Sequence, residues 1–282
     1  AYHPQVLTPL AHDHRGAILY TPSENSGGQR LSEAFDFVTE HLDPSRPFGA
    51  HTYEIYAKAL IQAFDNHERR LGRLPETGST SHMSAVDADG NMVALTYTLL
   101  NRFGSKVVLP SSGVLMNNAV SYFDPRPGYP TSMVGGKRIN ASNMCPTVCV
   151  RDDEAIFAVG ASGANHIVPC TMQVAAYMLD YDMSLEEAFN TPRIDAGGRA
   201  SIRVDPAAGD EVLAALGRSF DLEVAQNLVF PKLYSCPSGV FRDPASGHTQ
   251  GCGDKANPVA GAVAEQPLHL EETASGQVSV RA

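Results

Sequence analysis

Apolar residues return at helical spacing twice early in the chain. Leu31, Phe35, Val38 and Leu42 predict an amphipathic helix over 31–42. Tyr53, Tyr56, Leu60, Ile61 and Phe64 predict a second over 52–71. The polar stretch 66–79 reads as helix end and linker. Beyond Thr80 the pattern changes to strands. Residues 81–87 and 92–98 flank Ala88-Asp89-Gly90-Asn91, a turn signal that predicts a hairpin. A second hairpin is predicted over 147–151 and 155–159, around Asp152-Asp153-Glu154. The Pro/Gly-rich stretch 124–136 reads as a surface loop. Residues 165–181 carry Ile167, Met172, Ala175, Ala176 and Leu179 on one helical stripe. Ser184-Leu185-Glu186-Glu187 is a capping box that opens another helix. Residues 210–220 repeat the helical pattern, and short strands are predicted near 222–224, 240–242 and 259–263. This order predicts a mixed α+β fold with outer helices on facing antiparallel sheets.

Composition narrows the classes. At 282 residues the chain suffices for one large domain or two small ones. Hydrophobic residues at 43% and charged residues at 18% suit a soluble globular protein. The net charge of −10 argues against a nucleic-acid partner, which would need a basic face. No apolar run approaches the ~20 residues that span a bilayer. The start, Ala1-Tyr2-His3-Pro4, has neither the basic nor the apolar region of a signal peptide. The compartment, cytoplasmic or periplasmic and secreted, stays open. The five cysteines are odd in number and sparse, so buried free thiols are expected rather than a disulfide framework. No zinc-type spacing accompanies Cys145 and Cys149, and His12 with His14 has no further ligand nearby, so neither metal nor cofactor is expected.

The candidate chemistry centres on Gly78-Ser79-Thr80-Ser81-His82. Taken alone this is a loop entering a strand. It also has the form of an internal threonine that becomes an N-terminus when the chain cuts itself at Ser79–Thr80. Such a threonine carries its nucleophile and its general base, the α-amine, on one residue. The amine's reference pKa of roughly 7.7–8 leaves a useful fraction unprotonated at neutral pH. His82 invites a triad, but no acid motif or Gly-x-Ser-x-Gly elbow supports one, and a satisfied strand residue is expected.

Several motifs occur in order along the chain: Thr80-Ser81-His82, Asp89-Gly90-Asn91, Thr96-Tyr97-Thr98, Phe103-Gly104-Ser105 and Ser112-Gly113-Val114-Leu115-Met116-Asn117-Asn118. Gly136-Lys137-Arg138, Ser142-Asn143-Met144-Cys145-Pro146-Thr147, Gly160-Ala161-Ser162-Gly163-Ala164, Glu187-Ala188-Phe189-Asn190-Thr191-Pro192-Arg193 and Gly261-Ala262-Val263 follow. Together they resemble the small subunit of γ-glutamyltransferases. Pro22-Ser23-Glu24-Asn25-Ser26-Gly27-Gly28 resembles a loop near the end of that family's large subunit. The resemblance implies the α-β-β-α sandwich of N-terminal-nucleophile hydrolases. It makes residues 1–79 the end of a large subunit and residues 80–282 the small catalytic subunit. It also implies a further large-subunit segment as partner.

The resemblance assigns Thr80 as nucleophile and Thr98 as the hydroxyl that bonds it. It assigns the backbone of Gly163 and Ala164 as oxyanion hole, where the family has two glycines. Alanine keeps the N–H but is penalised if the position needs positive φ. Ser142 and Asn143 fall where two serines hold the donor's α-carboxylate. Leu100 stands where the family has an asparagine, and Asn101 beside it faces away in a regular strand. Tyr122 stands where an aspartate grips the donor's α-amine. Asp124, two residues on, would be displaced by ~6–7 Å. The arginine that the family uses for the α-carboxylate falls upstream of residue 1. The leading expectation is an enzyme passing γ-glutamyl groups from glutathione or related amides to water or an amino acid. A non-glutamyl amidohydrolase or acylase stays open, as does an inactive structural or interaction subunit.

Overall fold

Two short strands begin the fold, β1 (Leu10–His14) and β2 (Ala17–Thr21), turned at Arg15-Gly16 where both residues have positive φ. The computed structural model describes residues 3, 5–23, 25–72, 78–129, 131–132, 142–198, 200–264, 269–272 and 278–281. Parts of the 66–79 linker and of the 124–136 loop, and all of Gly136-Lys137-Arg138, lie outside the described residues. So does Glu24.

Helix α1 (Gly27–His41) starts four residues before its first periodic leucine. Ser26 caps it by accepting from the Gly28 N–H at 3.2 Å. The two glycines belong to the helix because the backbone passes very close to its neighbours. A Cβ at Gly27 would lie 2.7 Å from the Asn143 carbonyl oxygen. Helix α2 (Ala50–Leu71) ends at Gly72, whose φ of 77° suits only glycine well. After it come β3 (Ser79–Val86) and β4 (Met92–Leu100), the predicted hairpin. Asp87 ties its turn by accepting from the Asn91 backbone and side chain, both at 2.8 Å. The second hairpin is β5 (Thr147–Arg151) and β6 (Glu154–Ser162).

Helix α3 (Ile167–Asp180) is buried on every side rather than along one stripe. It lies between α1 and strand β6, so no face of it meets water. Short α4 (Leu185–Asn190) carries the predicted capping box, Ser184 Oγ accepting from the Glu187 N–H at 3.2 Å. Strands β7 (Ile194–Asp195) and β8 (Ile202–Val204), helix α5 (Asp210–Gly217) and strand β9 (Leu222–Val224) follow. Strands β10 (Cys236–Arg242) and β11 (Thr249–Gly253) complete the main sheet. A terminal pair, β12 (His269–Glu272) and β13 (Val278–Arg281), is antiparallel. The strand expected over 259–263 does not form; Val259 and Val263 are exposed coil with no sheet partner to bury them.

The main sheet is antiparallel and six-stranded, ordered β1-β2-β5-β6-β10-β11. Helices α1, α2 and α3 build the core with Leu19, Phe157, Val159 and Ala161 of the sheet. The opposite face meets the β3–β4 hairpin, which packs on β6 and β10. Gly160 permits that approach, since a Cβ there would lie 2.3 Å from the His82 ring. The result is a helix–sheet–sheet order, with the second sheet represented by the hairpin. Its outer face carries Met83, Val93, Leu95 and Tyr97, all exposed. All five cysteines are free, with Cys145, Cys149 and Cys170 buried. Among the described residues no helix is long and apolar enough to cross a membrane.

Candidate active site

The start of β3 and the end of β4 place two threonines side by side. Their pairing slips at this point: Ser79 lies opposite Leu100 but Thr80 opposite Thr98. The bulge turns both hydroxyls toward the Ser79–Thr80 peptide bond. Thr80 Oγ1 donates to Thr98 Oγ1 at 3.1 Å, and Thr98 Oγ1 donates to the Ser79 carbonyl oxygen at 2.8 Å. The Leu100 N–H in turn donates to Thr98 Oγ1 at 2.8 Å. One hydroxyl therefore accepts twice and gives its single proton to the peptide carbonyl that precedes Thr80. That contact withdraws electron density from the carbonyl carbon which Thr80 Oγ1 would attack.

The slip also alters the residues after Thr98. Leu100 has a φ of 69° and is 1% exposed, so strand alternation has ended before Asn101. Asn101 is exposed, and its N–H donates to Asn118 Oδ1 at 3.0 Å. Asn101 is therefore not held to the alternation of a regular strand.

Gly163 and Ala164 sit across from this bond. A Cβ at Gly78 would lie 3.3 Å from the Ala164 Cβ. Gly163 has a φ of 136° and Ala164 a φ of 52°. The expected steric penalty at Ala164 is thus present. Its magnitude decides little. A left-handed alanine costs about 1–2 kcal/mol. Glycine there would lose a buried methyl of ~0.8 kcal/mol and add about 0.4–1 kcal/mol of unfolded-state entropy. Ala164→Gly is therefore expected to shift unfolding free energy in urea by less than about 1 kcal/mol. Gly163→Ala is expected to destabilise by about 1–3 kcal/mol, from its backbone region and a Cβ contact of 3.1 Å with Ser235 Cα. Equal responses at the two positions would contradict this geometry.

The turn at 163–165 is fastened to the 142–143 loop. Asn143 Nδ2 donates to Asn165 Oδ1 at 2.8 Å, while Asn143 Oδ1 is buried without a partner. The Ser142 N–H donates to the Asn25 carbonyl at 2.7 Å, and Ser142 Oγ accepts from the Met144 N–H at 3.2 Å. Arg30, which the sequence did not single out, donates from Nη2 to the Ser142 carbonyl oxygen at 2.8 Å. No local pattern marks Arg30, because it sits on a helix beside ordinary polar residues. Asp124 is engaged elsewhere: Arg126 of its own turn donates to it at 2.9 and 2.6 Å. Those bonds hold its carboxyl down at about 2. Thr80, Thr98, Gly163 and Ala164 are brought together, with Ser142 and Asn143 joined to them through Asn165. No contact among the described residues draws Asp124 into that set.

His82 forms no triad. Its ring bonds Thr96 Oγ1 at 2.7 Å and Ser84 Oγ at 3.0 Å, and burial lowers its pKa to about 4. It is a neutral strand residue at neutral pH. A groove of about 1160 Å³ opens beside β3, lined by Ser81, His82, Ser162, Cys236 and Gly251 among others, and begins one residue from Thr80.

The Gamma-glutamyltranspeptidase family model matches residues 54–262. The chain is 31% identical over 245 residues to the glutathione hydrolase proenzyme of Escherichia coli (strain K12), across 68% of this chain and 42% of that protein. It is 36% identical over 141 residues to the acylase ACY 1 proenzyme of Pseudomonas sp. (strain V22), across 50% of this chain and 25% of that protein. The chain thus spans less than half the length of these relatives. In fold it is similar to cephalosporin acylase from Bacillus halodurans, with a TM-score of 0.75 and 20% identity over 91% of this chain and 53% of that one. The matched span, well over half of the sequence, places this chain in the gamma-glutamyltranspeptidase family.

Proposed function

We propose that the chain matures by cutting itself between Ser79 and Thr80, and that the freed Thr80 then moves acyl groups from amide donors. The observation that carries this reading is the bond chain from Thr80 Oγ1 through Thr98 Oγ1 to the Ser79 carbonyl. In the uncut chain Thr80 Oγ1 attacks that carbonyl. The Ser79–Thr80 C–N bond breaks, its nitrogen becomes the Thr80 α-amine, and water resolves the resulting ester. In the mature protein the α-amine takes the hydroxyl proton as Oγ1 attacks the donor carbonyl. That proton passes to the departing amine. Backbone N–H groups of Gly163 and Ala164 hold the developing oxyanion. Water or a second amine then takes the acyl group from Oγ1.

The family supplies γ-glutamyl amides, glutathione included, as the first donor class. A second reading, a non-glutamyl amide, is favoured by Leu100 and Tyr122. Ser142 and Asn143 border the donor site in both readings, whereas Asn101 and Asp124 belong only to the first. The exposed Met83, Val93, Leu95 and Tyr97 form the surface on which a large-subunit segment packs, since buried apolar side chains stabilise by roughly 1.5–3 kcal/mol each.

The test is mass and activity together. Purified protein should resolve into two polypeptides under denaturing conditions, the second beginning at Thr80, and should release amine from an acyl anilide. An uncut, inactive chain is the outcome expected of a structural subunit and would end this reading. The α-amine also sets the pH response. With a pKa of roughly 7.7–8, activity should fall about tenfold per pH unit below that range, as the base becomes protonated. A flat profile from pH 5 to 8 would exclude it.

A further inference from the structure

Ser235 is 1% exposed and stands one residue before β10. The pairing of β10 with β6 ends where Cys236 faces Ser162, so Ser235 lies just beyond the last paired position. Its Oγ donates to the Ser162 carbonyl oxygen at 2.6 Å. That oxygen belongs to the same peptide unit as the Gly163 N–H. The unit is trans, so its C=O and N–H point in opposite directions in one rigid plane. A donor held on the carbonyl side therefore fixes the direction of the N–H on the other. It also draws electron density away from that N–H through the amide, which strengthens it as a donor.

Gly163 depends on such a hold. Its φ of 136° lies in a region open to glycine, whose backbone is the least restrained of any residue. Ser235 packs on it closely: a Cβ at Gly163 would lie 3.1 Å from Ser235 Cα and 3.2 Å from Ser235 Oγ. On the next peptide unit the His166 N–H donates to the Gly163 carbonyl oxygen at 3.0 Å. Gly163 is thus gripped through the peptide before it and the peptide after it. Among the described residues neither the Gly163 N–H nor the Ala164 N–H donates to a protein acceptor.

The segment that presents Ser235 is anchored residue by residue. Lys232 pairs with the buried Asp254 at 2.5 Å. Arg203 Nη1 donates to the Leu233 carbonyl oxygen at 2.5 Å, and its Nη2 pairs with Glu223 at 3.0 Å. The Tyr234 hydroxyl donates to the Ala225 carbonyl oxygen at 2.9 Å. Three consecutive residues meet three different partners, so the Ser235 hydroxyl is offered from a stiff support.

Resting on the acyl-transfer reading above, we infer that Ser235 is a positioning residue, whose hydroxyl aims and polarises the Gly163 N–H toward the oxyanion of an added donor. It touches no reacting atom itself. Negative charge growing on the donor's carbonyl oxygen is held by the N–H, and the N–H is directed by Ser235. Self-cleavage differs, because there Thr98 already donates to the Ser79 carbonyl oxygen. Ser235 therefore bears on turnover more than on maturation.

The experiment uses the full-length matured protein with γ-glutamyl and butyryl p-nitroanilides. Removing an oxyanion donor outright costs roughly 10²–10³ in kcat, and misdirecting one should cost a part of that. With the faster anilide, Ser235→Ala should lower kcat about tenfold and leave KM within about twofold. Its self-cleavage should slow by less than about threefold, whereas a merely structural loss would slow both steps alike. Ser235→Cys keeps the shape but offers only a weak donor, so its kcat should fall between the two. Should Ser235→Ala fail to mature, Ser235→Cys carries the same comparison. Selective ¹⁵N-glycine labelling gives a direct signature: the Gly163 amide nitrogen should move upfield in either variant as the carbonyl loses its donor. Unchanged kcat, equal losses in both steps, or an unmoved Gly163 resonance would each overturn the inference. A parent that turns over neither anilide would instead overturn the acyl-transfer reading, and the Gly163 resonance would still decide whether Ser235 polarises that peptide.

Discussion

Thr80→Ala protein is expected to persist as one uncut chain and to lose turnover by about 10⁴-fold or more, because it removes the nucleophile of both steps. The fold should survive. Thr80 is only partly buried, and among the described residues its side chain makes one hydrogen bond, to Thr98 at 3.1 Å. Urea unfolding midpoints of the Thr80→Ala and uncut parental proteins should therefore agree closely. Thr80→Ser keeps an attacking hydroxyl and should still cut, more slowly. Mass spectrometry across the 79–80 bond distinguishes these outcomes. An active Thr80→Ala protein would remove the basis of the proposed chemistry.

Thr98→Val is the second large effect. The substitution keeps a β-branched shape suited to a strand and deletes only the hydroxyl. Three hydrogen bonds go with it: the one from Thr80, the one from the Leu100 N–H and the one to the Ser79 carbonyl. The last polarises the bond to be cut. Loss of one well-placed donor to a developing oxyanion costs about 2.7–4 kcal/mol, or roughly 10²–10³ in rate. Self-cleavage followed by gel densitometry should slow by that order, while Thr98→Ser should remain near the parent. If Thr98→Val matured at the parental rate, the carbonyl contact would be incidental.

Much of the helical and hairpin content is readable because one face of each element is buried. The β3–β4 hairpin is visible in its two-residue alternation and in Asp89-Gly90, and the structure seals it with Asp87 and Asn91. The β1–β2 hairpin escapes sequence reading. Leu10–His14 interleaves two histidines and an aspartate with its apolar residues, which looks like surface. His14 is in fact fully buried, bonded to Thr39 at 2.8 Å and to Asp180 at 2.7 Å. A polar residue matched by distant partners leaves no local pattern. The same holds for Gly27 and Gly28, which resemble part of a loop but open a helix, with the Asn143 and Met144 backbone against Gly27 and the Pro22 carbonyl and Thr21 side chain against Gly28.

The candidate site divides in a similar way. Motif order along the chain singles out Thr80, Thr98, Gly163, Ala164, Ser142 and Asn143 as candidates, since each chemistry needs a particular residue type. Arg30 and the Asn143–Asn165 bond carry no such mark, because an arginine on a helix signals nothing until its surroundings exclude water.

The sequence by itself determined most of the helices, the β3–β4 and β5–β6 hairpins and the family. Only the tertiary structure decided how β4 slips against β3, how Leu100 ends the strand and which charge stands behind Ser142. Periodicity reports which side of an element is apolar. It does not report which distant group a buried polar atom meets, and the surroundings of Arg30 and Asn143 depend on those long-range pairings.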